Sequence, residues 1–155
     1  MKHSLISRVL LIGAVSLIAV SAHAQLSAPT TDNRLPINVS QTEKNQMLYE
    51  MREFLHGFHA INVALARGDM KSLAMTARPM GPLLDRLPAR LKERMPEEFQ
   101  QLAIAMNEAL QVLARDAESN GDIKRTHENL AEVITYCSGC HDTFRFNVVS
   151  SRARK

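Results

Sequence analysis

The chain has 155 residues, 19 Lys and Arg against 16 Asp and Glu, 45% hydrophobic residues, two Cys and no Trp. This length suits one domain with one core. The formal charge of +3 and pI near 9.1 are no argument for nucleic acid, because two of the basic residues, Lys2 and Arg8, belong to an export signal.

That signal opens the chain. Lys2 and Arg8 precede the apolar run from Val9 to Val20, which ends in Ser21-Ala22-His23-Ala24, an Ala-x-Ala-like cleavage site. The run is too short to span a bilayer and no stop-transfer pattern follows, so no stable membrane insertion is expected. The reading is a signal peptide over residues 1–24, export to the periplasm and a mature chain from Gln25. Residues 25–40 carry Pro29, Asp32, Asn33 and Pro36 without apolar periodicity, and read as an extended N-terminal segment.

Ser40-x-x-Glu43 has the form of a capping box. From there Leu48, Met51, Leu55, Phe58, Asn62 and Leu65 recur at spacings of three and four, predicting an amphipathic helix with these residues as its seam. It ends at Gly68, after Arg67. Asp69 caps a second helix from Met70, with Leu73, Met75 and Ala77 apolar, which Pro79-Met80-Gly81-Pro82 must kink or end. A short piece over Leu83 to Leu87 follows, then a helical turn or loop from Pro88 to Met95.

Pro96, with Glu97 and Glu98 at the positive end of the helix dipole, opens a third long helix. Its apolar face is Phe99, Leu102, Met106, Ala109, Leu110 and Leu113, and it ends near Ala117. Ser119-Asn120-Gly121-Asp122 is a loop. A fourth helix starts near Ile123, with Ile123, His127, Leu130, Ile134, Cys137, His141 and Phe144 as its expected inward seam. Four amphipathic helices with mostly short connections and no strand candidates predict an all-α protein, an antiparallel four-helix bundle over residues 41–147. Residues 148–155, with Arg152, Arg154 and Lys155, read as a solvated basic tail.

The fourth helix carries Cys137-Ser138-Gly139-Cys140-His141. Two thiols and an imidazole at this spacing are what covalent attachment of a c-type haem requires. On a helix Cys137 and Cys140 project from one side, and His141 lies one turn along it. Both cysteines of the chain are used, so no thiol remains for a structural disulfide or a separate nucleophile. A redox dithiol is the rival, but it would sit beside a strand in a βαβ unit, and no strand-like alternation adjoins residue 137. Zinc would need ligands from the scattered His56, His59 or His127. The serines show no pairing with His and Asp, and no Gly-rich loop is present, so nothing points to an enzyme.

A Cys-x-x-Cys-His near the C-terminus, on the last helix of a small exported four-helix protein, resembles the class II cytochromes c, the cytochrome c′-like family, over roughly residues 41–147. Cys137 through Arg145 looks like that family's motif, in which an aromatic and a basic residue follow the histidine. The resemblance implies one haem c joined through Cys137 and Cys140, with His141 as axial ligand and the first helix facing the other side of the iron. Family members with an apolar residue there are high-spin and bind gases such as nitric oxide; those with a methionine are low-spin and transfer electrons. Met51, which lies on both apolar rows of the first helix, is the expected sixth ligand. Met47 sits at the margin of the seam, and His59 is next in order.

Arg52 adjoins Met51 and resembles the basic residue that meets a haem propionate in the family; as a surface arginine it would pair with a nearby Glu. The expected function is one-electron transfer with periplasmic redox proteins as donor and acceptor. The alternative is a haem protein that binds nitric oxide or carbon monoxide through an open or displaceable position. Homodimers are common in the family resembled.

Overall fold

The computed structural model describes residues 31–119 and 121–150. The expected signal peptide and the last five residues of the basic tail lie outside them. Strand β1 (Leu35–Val39) leads into helix α1 (Gln41–Ala66), followed by α2 (Met70–Met80), the short α3 (Leu83–Arg86) and α4 (Ala89–Lys92), α5 (Glu97–Ser119), α6 (Ile123–Thr143) and strand β2 (Phe144–Val148).

The helix starts follow their local chemistry. The Ser40 hydroxyl accepts the Glu43 amide and the Glu43 carboxylate accepts the Ser40 amide, at 3.3 and 2.7 Å, closing the capping box. Asp69 and Asp122 cap α2 and α6 through the amides of Ser72 and Arg125. Gly68 follows α1 at φ +67°, a left-handed conformation that only glycine adopts cheaply. Pro79 stands in the last turn of α2, and Gly81 meets Asn107 of α5 so closely that a Cβ would collide.

Close packing joins α1 to α2, α2 to α5 and α5 to α6; α6 and α1 are not among the close-packed pairs. The three-residue links at Arg67–Asp69 and residues 120–122 make their neighbours antiparallel. The chain is therefore an all-α bundle, as expected, with α1 and α6 less closely packed on each other than the other neighbours, which leaves the side between them the more open. The core runs through Ile61, Leu65, Leu73, Leu110, Leu113 and Val133, all buried.

Three expectations are corrected. The buried stripe of α1 is Met47, Glu50, Phe54, Ile61, Ala64 and Leu65, whereas Leu48 and Leu55 are 46% and 68% exposed and Met51 is half-buried. Met47, expected at the margin, is core; Met51, expected at the centre, borders the open side. The helix carries apolar residues over more than one row, and the segments that pack on it select a stripe turned about 90° from the expected one. On α6 the buried positions are Thr126, Leu130 and Val133, while Ile123, His127, Ile134 and His141 are exposed. The third correction is the strand pair. Residues 35–39 are extended, as expected, but they are hydrogen-bonded in parallel to β2, with Leu35 opposite Phe144 and Val39 opposite Val148. Ile37 and Val39 are buried by it.

Candidate functional site

The Cys137–His141 motif lies in the last two turns of α6, next to the point where the chain enters β2. Cys137 and Cys140 are half-buried and not disulfide-bonded. The Cys137 thiol points back along the helix, donating to the Val133 carbonyl at 3.6 Å. Burial raises the pKa of both thiols: Cys137 moves upward, and Cys140 is pushed up to about 11 by burial and then by Cys137 beside it. Thiols held protonated are poor disulfide-exchange nucleophiles. Gly139, between them, faces Leu102 of α5.

His141 is exposed, against the expectation that the whole motif packs inward. On the α6 wheel it lies about 20° from Ile134 and about 40° from Cys137, so the three share one strip. Ile134 on this strip is 47% exposed. Across the open side, α1 presents Leu48, Met51 and Leu55, which share a strip about 60° wide. Two apolar strips thus flank the more open side of the bundle; the Cys137 thiol and the His141 imidazole stand on that of α6, with Cys140 about 60° round the helix from Cys137.

These residues fit a haem. Two thiols and an imidazole adjoin apolar surface that the protein leaves uncovered, and large exposed apolar patches mark sites for a ligand or partner. Cys137 and Cys140 could hold the porphyrin edge, and His141 could ligate iron. On the other strip Met51 packs against the core's edge with its side chain partly accessible. Met47, at 2% exposure, is enclosed by protein.

Arg52 is exposed and no ion pair holds it among the described residues, so the expected pairing with a neighbouring Glu is absent there. His59 is exposed, and His56 is exposed with Nδ1 3.5 Å from the Glu53 carboxylate. His127 is exposed two turns before Ile134. Among the described residues no three His, Cys, Asp or Glu side chains converge as a metal site would require.

One feature of the site escaped the sequence reading. Arg34 donates from Nη1 to the His141 carbonyl at 3.1 Å, across 107 residues of chain. The strands that bring it there alternate apolar residues, Leu35, Ile37, Val39 and Phe144, Phe146, Val148, and this period of two was the available signal. Phe144 is buried, with its ring 5.6 Å from that of Phe99 at 69°.

The fold and the site together define a c-type haem protein on a helical bundle. The model of the cytochrome c′ family, the class II cytochromes c, matches residues 94–145, the stretch that holds α5, α6 and the motif. That match supports a haem c-type cytochrome. No curated protein and no solved structure matches the chain.

Proposed function

We propose that this protein is an exported, periplasmic monohaem cytochrome that carries single electrons, with Cys137 and Cys140 joined to the haem, and His141 and Met51 as its axial ligands. The haem iron, when bound, alternates between ferric and ferrous states. The chain's part is to hold it between α6 and α1, to supply both ligands from helices, and to exclude water with Leu48, Leu55 and Phe58. Thioether ligation favours the ferrous state and fills the position a diatomic would take. Arg52, exposed beside Met51, would meet a propionate. Redox proteins of the same compartment serve as donor and acceptor.

The observation that carries the reading is the division of labour between the two methionines. Met47 is fully committed to the core, and Met51, one turn on, stands on the strip that borders the open side. Only Met51 can turn toward a haem without emptying the core.

The test compares optical and magnetic spectra of the holoprotein in both oxidation states for wild type, Met51→Ala and Met47→Ala. A low-spin signal and a methionine-to-ferric charge-transfer band, lost in M51A and kept in M47A, are expected. M47A should instead lose about 2–5 kcal/mol of stability, as buried Met→Ala changes do. High-spin spectra untouched by M51A would overturn the ligand assignment and move the protein to the gas-binding members of the family.

A further inference from the structure

The parallel strand pair reaches the haem-binding turn from the far end of the chain. The last four carbonyls of a helix have no intrahelical donor, and in α6 these belong to Cys140, His141, Asp142 and Thr143. The Phe144 amide takes the Cys140 carbonyl, and the Arg34 guanidinium takes that of His141. A cation there also faces the negative end of the helix dipole.

Register holds Arg34 in place. Leu35 pairs with Phe144, so Arg34 stands one residue before the first rung, opposite the end of α6. A slip of one residue would turn Ile37 and Val39, 4% and 0% exposed, out of the core. Two polar contacts tighten the same alignment: Arg145 Nε donates to the Arg34 carbonyl at 3.3 Å, and Asn147 donates to the Asn38 side chain at 2.8 Å. The Val149 amide continues the ladder to the Val39 carbonyl at 3.0 Å. The segment before the bundle is thus tied, through buried residues, to the peptide unit of the proposed axial ligand.

We propose that Arg34 is a positioning residue for the haem ligand: held by the β1–β2 ladder against the His141 carbonyl, it fixes the last turn of α6 and raises the reduction potential of the iron bound there. This rests on the reading that haem is bound at His141. Ferric iron carries one positive charge more than ferrous, so a nearby guanidinium disfavours the oxidised state. Arg145 acts in the same sense, and the exposed carboxylate of Asp142 opposes both.

The test uses wild-type, Arg34→Gln and Arg34→Lys holoproteins, each titrated against a common redox mediator and examined by electron paramagnetic resonance of the ferric form. R34Q should shift the reduction equilibrium toward the oxidised state by about two- to fourfold, the effect of one unit charge on another about 10 Å away in a largely aqueous dielectric. R34K keeps the charge but loses the planar fork, so its potential should stay near wild type while the axial-ligand signal changes. R34Q with wild-type potential and signal would overturn the proposal. If R34Q does not accumulate, R34K decides the positioning role, which fails if its signal is unchanged. Absence of covalent haem from the wild-type protein would instead sink the functional reading itself.

Discussion

Replacing Arg86 by Met should cost the protein about 3 kcal/mol. Glu50 lies in the middle of the buried face of α1 with its side chain 3% exposed, and Arg86 Nε of α3 donates to its carboxylate at 2.7 Å. The second carboxylate oxygen accepts from Gln46 at 3.0 Å. The same guanidinium donates to the carbonyls of Pro79 and Met80, each at 3.2 Å, and sits 5.7 Å from the Phe54 ring. One side chain therefore pins α1 to the end of α2.

Removing one partner of a buried pair strands a charge, at about 3–5 kcal/mol. The Arg86 side chain is 33% exposed, so water reaches the pair and the lower end applies. The two carbonyls are at the surface, where water replaces the lost donors, and the ring contact adds about 0.5–1 kcal/mol. Met preserves the apolar stem. For a domain of this size, about 3 kcal/mol lowers Tm by roughly 10 °C, measured by far-ultraviolet circular dichroism of the holoprotein. The double variant E50L/R86M should recover most of the loss, since an apolar pair of similar volume removes the stranded charge. An R86M protein that melts within about 3 °C of wild type, or a double variant no better than R86M, would refute the reasoning.

Gly57→Ala places a Cβ in α1 against the sulfur of Met80; overpacking of about 1–3 kcal/mol outweighs the gain of about 1 kcal/mol in helix propensity. Chemical denaturation should show net destabilisation of G57A, and G57A/M80A no less stable than M80A. Asp116 accepts from Arg125 and Asn129 at 2.7 and 2.8 Å, bonds that hold its carboxyl below the ordinary value of 3.8. Its stabilising effect is present above that value and lost as pH falls through the lower folded one. Asp116→Asn should therefore be less stable than wild type at neutral pH, with the gap closing in the acid limb of a pH series of melts.

Local chemistry written in a few adjacent residues determined much of this protein by sequence alone. The caps at Ser40 and Asp69, the break at Pro79 to Pro82, the loop at Ser119 to Asp122 and the spacing in Cys137–His141 each act within one turn of chain, so their positions could be read directly. Helix existence and order, and the haem motif on the last helix, followed from them.

Which face of a helix is buried is not a local property. On α1 the rows through Met47 and Met51 differ by about 40° and both carry apolar residues; only the tertiary packing against one of them decides that Met47 is core and Met51 borders the open side. The same holds on α6, where Val133 goes in and Ile134 stays out. The Arg34–His141 contact spans 107 residues, and no spacing within the chain encodes it. It exists because burying Ile37 and Val39 pairs two short segments from opposite ends of the chain, a gain that appears only once the bundle has brought the start of α1 and the end of α6 together.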